Sequence, residues 1–531
     1  MSREARLAAI LLAVIGMTAV LMGVYATDWG PWVGSDSVEY LESARNLASG
    51  RGLITERASG RIVPLYSRPP LYPVLLALMI GLGIDPVAGA RWLDVGLLFL
   101  VIALVAGATY WATGRPVVPV LSSLYLVSAP AFLDGFTGLM TEPVFLAIVA
   151  GQIVALVAYL TTRKGWLLVL SSLLAALSLM TRYAGASSLL VLALGILLWG
   201  PGRLSRRILL SIGSMVLAVA PFLVWTGYLA GNGLTPGVYD LTLVEARQAL
   251  VTSRASLVDA YWSWLPWLGG AVGLGDRSKP LACAAMIAAG CTMLAWLTRR
   301  RSAKPDEAGR SRRVLILGVL AAAFSLGHAA VLAAAYVLVE YPKPAFYERV
   351  LLPSQLTFVL SLVLLAWYAM APYQKQRPAA ILTVLLLVPP ILGSVERTEK
   401  LMSTLHDEGR GYTGWQWHNR PILASLDEIP AEAPIISNDS AAIEFFLHRP
   451  AFLIPDLEEP LPAELWGTFG SRRDHLAERS FVDQQGYLVM FSVANAQFDQ
   501  VYGAAAEERI ETLIMGLTPI YEDMDGGIYI R

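Results

Sequence analysis

The chain has 531 residues, 56% hydrophobic and 15% charged, with a net charge of −1 and a mean hydropathy of +0.56. Soluble globular proteins carry roughly 25% charged residues, so most of this chain belongs in lipid, and the absence of a net positive charge argues against a nucleic-acid partner. Cys283 and Cys291 share one apolar stretch; on a helix they stand about 12 Å apart, too far for a disulfide, and five scattered histidines show no metal-ligand spacing.

At the N-terminus, Arg3 and Arg6 precede a run of about 20 apolar residues, a length that suits a retained signal anchor with a cytoplasmic N-terminus. The segment GSDSVEYLESARNLASGRGLI (34–54) follows. Asp36, with Glu39 three residues on, reads as a capping box for a helix to about Ser49, closed by Gly50 and Gly52. Val38, Leu41, Ala44, Leu47 and Ala48 give that helix an apolar face, which predicts that it lies flat on the membrane. On one reading Asp36 is a helix cap and nothing more. On the other it is a carboxylate held at the outer water–lipid boundary.

The apolar run 71–84 is too short for a full span and reads as a re-entrant or interfacial piece of an outer loop, 28–90. Spans are predicted near 91–112, 117–133, 143–161, 165–181, 184–200, 208–229, 279–297, 314–338, 350–371 and 379–394. With the anchor they make about eleven, and the positive-inside rule places Arg163-Lys164, Arg203 to Arg207, the 299–313 basic run and Lys375/Arg377 together in the cytoplasm. After residue 395 the composition changes. Strands are predicted at 434–437, 451–454, 487–493 and 526–531, and helices at 420–428, 440–447 and 505–515. The expected division is thus a membrane module, 1–394, and a small extracytoplasmic α/β domain, 395–531.

Charges at the outer ends of the spans are the candidates for chemistry. Tyr66 and Arg68 open the re-entrant piece, Asp134 and Glu142 flank an outer mouth, Arg182 and Tyr183 interrupt an apolar hairpin, and Tyr347 and Arg349 precede a late span. Singly, each arginine reads as a snorkelling side chain and Glu142 as a helix cap. Together, three arginines and several carboxylates on one face suit a phosphate-bearing substrate. The aromatic loop 230–278, with Tyr239, Tyr261, Trp262, Trp264 and Trp267, reads as an interfacial belt, and His328 as a histidine bonded within the bundle.

The order of these residues resembles the GT-C superfamily of polyprenyl-phosphate-dependent glycosyltransferases, specifically bacterial relatives of the dolichyl-phosphate-mannose–protein mannosyltransferases and of the lipid A aminoarabinose transferase. The resemblance rests on Asp36, Tyr40 and Ala44-Arg45, then Ser67-Arg68-Pro69-Pro70-Leu71-Tyr72-Pro73, Gly114-Arg115, Thr141-Glu142-Pro143, Thr181-Arg182-Tyr183-Ala184-Gly185 and Glu348-Arg349-Val350-Leu351-Leu352-Pro353. It implies a GT-C-like polytopic α-helical bundle in the plasma (inner) membrane of a cell envelope, with an extracytoplasmic site. Its implied activity is inverting transfer of a hexosyl or pentosyl group from a polyprenyl-phosphate sugar to a lipid, glycan or protein acceptor. In that scheme Asp36 is the general base, Glu142 a second acid matched by position, and Arg68, Tyr66, Arg182, Tyr183, Tyr347 and Arg349 bind substrate. The family often carries a second acid beside the first; here the neighbour is Ser37, which disfavours a divalent metal, and no cofactor is expected. The competing class is a transporter or flippase of a lipid-linked or anionic substrate, against which no inverted repeat of broken helices is visible.

Overall fold

The computed structural model describes residues 3–56, 62–66, 68–233, 250–252, 255–258, 260–261, 305–338, 348–370, 376–454, 485–495, 510–511 and 513–530. Tyr347, the 279–297 span with both cysteines, and Tyr239, Trp262, Trp264 and Trp267 lie outside the described residues. Two compact units emerge. One comprises Met1–Ala26 with Trp92–Thr404, the other Thr27–Arg91 with Leu405–Arg531.

The first unit is helical: α1 (Arg3–Ala26), most of α4 (Pro86–Thr113), α5 (Val117–Ser128), α6 (Pro130–Gly135), α7 (Glu142–Thr162), α8 (Gly165–Thr181), α9 (Ala186–Trp199), α10 (Leu204–Gly231), α11 (Pro305–Leu338), α12 (Glu348–Met370) and most of α13 (Gln376–Glu408). Among the described residues α1, α4, α7, α10, α11, α12 and α13 are long and apolar enough to cross a membrane, so the chain is a multi-pass membrane protein. Of the eleven expected spans, 165–181 and 184–200 appear as shorter apolar helices, as does 117–133 in broken form. The break is at Pro130: Ala129 before it is extended (φ −84°, ψ 119°), as the clash with a following proline ring requires.

The core of this unit packs Leu98 and Ile102 of α4, Phe145 and Leu156 of α7, Leu192 of α9, Phe324 of α11 and Leu352 of α12. Outward faces stay apolar: Leu209, Val216 and Val224 on α10 are exposed, as lipid-facing positions must be. Small residues bring helices close; a Cβ on Gly195 would stand 2.9 Å from a Leu156 methyl. Polar side chains pair inside the bundle. Gln152 donates to the Ser188 carbonyl (3.1 Å) and His328 Nδ1 meets Ser354 Oγ (2.8 Å).

The second unit joins residues 27–91 to the C-terminal residues, a grouping that differs from the expected division at 394/395. Backbone contacts account for it. Val33 and Gly411 form a parallel bridge, Tyr412 N–H donates to the Val33 carbonyl (2.9 Å), and Thr413 Oγ1 donates to the Pro31 carbonyl (2.8 Å). Gly411 has φ +66°, and a Cβ there would stand 2.2 Å from the Val33 oxygen; only glycine fits.

In this unit α2 (Ser35–Ala48) packs on α3 (Leu71–Gly81) and on the hairpin β1 (Ile54–Glu56) and β2 (Ile62–Pro64). Val38, Leu41 and Ala44 are buried against protein, so the apolar face expected to float on lipid is instead part of a core. At eleven residues α3 is about 16 Å long by its rise per residue, half a bilayer core. The C-terminal sheet runs β4-β3-β5-β7-β6, built from β3 (Ile435–Ser437), β4 (Phe452–Leu453), β5 (Tyr487–Phe491), β6 (Thr518–Asp523) and β7 (Gly526–Ile530). β3 pairs in parallel with β4 and β5, whereas β7 is antiparallel to β5 and β6. Strand β6 was not expected; TPIYED carries a proline and two carboxylates and is exposed along most of its length, which suits an edge strand.

Candidate functional site

Asp36, Arg68, Glu142, Arg182 and Arg349 fall into two charged clusters, one in each unit. In the second unit, α2 begins two residues earlier than the capping-box reading requires. Its N-cap is Gly34, in extended conformation, whose N–H donates to Ser37 Oγ (3.1 Å). Asp36 is therefore not the cap but a first-turn residue, where the helix dipole favours its negative charge. Asp36, Glu39 and Tyr40 lie three and four residues apart and share one helix face.

Arg68 reaches that face. Pro69 and Pro70 hold the chain after it in a fixed course, and its guanidinium grips both acids. Nη2 pairs with Asp36 Oδ1, and Nε donates to Glu39 Oε2 at 3.1 Å. Its carbon lies 5.3 Å from the centroid of the Tyr40 ring, which in turn meets the buried Tyr72 edge-on. Burial alone would lower the Arg68 pKa; Tyr40, Asp36 and Glu39 outweigh it and hold the guanidinium above its ordinary value. Asp36 keeps about a third of its side chain in solvent, 34%, against 20% for Glu39. Tyr66 lies half-buried just upstream.

In the first unit, Glu142 is the first residue of α7 and is almost wholly enclosed, with 3% of its side chain exposed. Its Oε1 accepts from two arginines, Arg182 Nη1 at 3.0 Å and Arg349 Nε at 3.2 Å. Arg182 Nη1 also donates to Thr141 Oγ1 at 2.7 Å. One carboxylate thus faces two guanidiniums, and each arginine keeps 23% of its side chain exposed. The hairpin tip explains how Arg182 arrives there. It caps α8 in extended conformation, and a short 3-10 turn, Tyr183–Gly185, leads into α9. A Cβ on Gly185 would lie 2.4 Å from the Ser178 carbonyl, so glycine is required for the turn to close. Tyr183 does not join the cluster; it packs edge-on to Phe222 at 6.1 Å.

Two participants escaped the reading of the sequence. Glu39 passed for the far half of a capping box. Asp94 passed for one polar residue in an apolar run; it is 1% exposed, within electrostatic range of Glu142, and neither of its oxygens has a hydrogen-bond partner among the described residues. A carboxylate three residues into the span predicted at 91–112 was the available signal. Among the described residues no three His, Cys, Asp or Glu side chains are placed to hold a metal ion.

No family model matches the sequence, and no curated protein matches it. Solved structures do. The chain is similar to ArnT from Cupriavidus metallidurans bound to undecaprenyl phosphate, at 15% identity and TM-score 0.49, over 98% of this chain and 97% of that one. It is also similar to the archaeal oligosaccharyltransferase AglB from Archaeoglobus fulgidus, in complex with an inhibitory peptide and a dolichol-phosphate, at 12% identity and TM-score 0.48, over 98% of this chain and 74% of that one. The likeness is one of chain course over nearly the full length; the functional reading stands on the side chains.

Proposed function

We propose that the protein transfers a sugar from a polyprenyl-phosphate donor to an acceptor hydroxyl at the outer face of the plasma membrane, with inversion at the anomeric carbon. The observation that carries this reading is the Asp36–Arg68–Glu39 cluster: a carboxylate still open to solvent beside a guanidinium that a second carboxylate also holds. Asp36 takes the proton of the acceptor hydroxyl as its oxygen attacks the anomeric carbon. The bond from that carbon to the phosphate oxygen breaks, and the lipid phosphate departs with the electron pair. A phosphate monoester is a good leaving group, so a cation in a site poor in water is what assists it. Arg68 supplies that cation. A base in hydrogen-bond reach is worth about 10²–10⁴-fold.

Arg182 and Arg349 form a second cationic centre, organised by Glu142. Because Glu142 spends one oxygen on both guanidiniums, we assign it to holding them apart and aimed rather than to accepting a proton. The net positive pair suits an anionic group of donor or acceptor. Residues 405–531, with 27–91, lie on the extracytoplasmic side in this reading. Tyr66 borders the substrate in this reading, and Tyr183, packed on Phe222, stays outside the arginine cluster.

The test is sugar transfer in proteoliposomes loaded with a panel of polyprenyl-phosphate hexoses and pentoses, wild type against Asp36→Asn. A loss of about a hundredfold or more with folding intact supports Asp36 as the base. Equal turnover by both proteins removes it from the chemistry, and silence across the whole panel returns the transporter reading to first place.

A further inference from the structure

Arg68 is held by two carboxylates, and they hold it differently. Glu39 takes Nε, at the stem side of the guanidinium, and is the better buried of the two. Tyr40 lies against its face. These contacts fix where the planar group sits and how it is turned. Asp36 takes Nη2, at the outer edge, and is the more exposed carboxylate. Guanidinium offers five N–H donors in a rigid fork, so an incoming phosphate meets the more exposed outer edge first. Resting on the reading of Arg68 as a lipid-phosphate ligand, we propose that Glu39 is a positioning residue: it keeps Arg68 in place while the donor phosphate displaces Asp36 from Nη2. The displacement has two results at once. The phosphate gains a preorganised cation, and Asp36 is released from an ion pair that occupies one of its oxygens and holds its charge. Base and donor site become ready together, and only when donor is bound.

The geometry makes the two acids respond oppositely to removal. Asp36 competes with the phosphate for Nη2, so Asp36→Asn tightens phosphate binding. Glu39 supports the bound form, so Glu39→Ala weakens it even though a negative charge has been taken away. Glu39→Gln, which keeps an oxygen for the Nε–H, falls between Glu39→Ala and wild type. A site governed by net charge alone behaves otherwise, since loss of either acid favours an anion.

The experiment uses the full chain in lipid nanodiscs with undecaprenyl monophosphate at graded mole fractions, bound lipid being counted by native mass spectrometry and undecaprenol serving as the uncharged control. Expected is a weakening of about tenfold for Glu39→Ala, the scale of one charge-assisted hydrogen bond, partial recovery in Glu39→Gln, and tightening in Asp36→Asn. Tightening in Glu39→Gln as well as Asp36→Asn overturns the positioning role while leaving Arg68 as the phosphate ligand. Wild-type binding no stronger for the phosphate than for the alcohol overturns the parent reading, and the inference with it.

Discussion

Glu142→Gln isolates what the buried carboxylate does for its two arginines. The substitution preserves size and leaves an amide oxygen at the hairpin tip, so shape is unchanged and only the charge is lost. Breaking a buried ion pair by removing one partner costs about 3–5 kcal/mol, because the remaining charge stays desolvated. Here both guanidiniums retain 23% of their side-chain exposure and recover part of their hydration, while the amide still accepts one hydrogen bond; a loss of about 2–4 kcal/mol is expected. The arginines, no longer bridged, repel each other, so Glu142→Gln with Arg349→Gln should recover part of that loss. The coupling between the two sites should be about 1–3 kcal/mol, as for residues in one charged network. Unfolding in mixed SDS–detergent micelles, followed by tryptophan fluorescence, reads all four proteins of the cycle. Stability of Glu142→Gln within about 0.5 kcal/mol of wild type, the range of an ordinary surface substitution, would refute the reasoning and reduce the cluster to a surface feature.

The same cluster should feel its supporting turn. Gly185→Ala places a Cβ 2.4 Å from the Ser178 carbonyl and should cost about 1–3 kcal/mol by overpacking, with faster hydrogen exchange at 181–186. In the second unit, Gly411→Ala meets both a left-handed φ of +66° and the Val33 oxygen at 2.2 Å. About 2–4 kcal/mol should be lost, read as faster exchange at 31–38 and 411–417. Asp439 caps the helix Ser440–Leu447 by accepting from Ala442 N–H at 3.1 Å, and it also accepts from Tyr412 O–H at 2.8 Å. Asp439→Ala should cost about 0.5–2 kcal/mol through the cap alone, whereas Asp439→Asn retains most of it. Burial, with Asp439 beside it, pushes the Tyr412 phenol above the ordinary tyrosine range. The native state then keeps that proton where the unfolded chain has lost it. The stability so conferred is fully present below the unfolded value near 10 and is lost as pH rises from there through the folded value. An ultraviolet difference titration against Tyr412→Phe should show no phenolate at the ordinary tyrosine value.

Apolar runs made the spans legible, since twenty lipid-facing residues leave few alternatives. The α/β character of the C-terminal residues came from strand-length apolar runs such as YLVMF, which became β5, buried along four of its five positions. Local rules failed where a distant residue decided the outcome. Asp36 and Glu39 have capping-box spacing, and Ser37 took the cap contact instead, because both acids turn toward an arginine about thirty residues away that no local pattern links to them. The apolar face of α2 has the spacing of a surface float, and α3 and β1 cover it. Periodicity says which side of a helix is apolar and is silent on whether lipid or protein meets it. The union of residues 27–91 with those beyond 405 includes one glycine that fits under the Val33 carbonyl. In the sequence GRGYTGW that glycine is indistinguishable from a loop glycine. Charge is where the two levels meet. The arginines were singled out because isolated charges near lipid are costly, and the described ones, Arg68, Arg182 and Arg349, are each found on a carboxylate. The cost argument identifies which residues must have partners, and the fold alone decides that Arg68 has two acids while Arg182 and Arg349 share one.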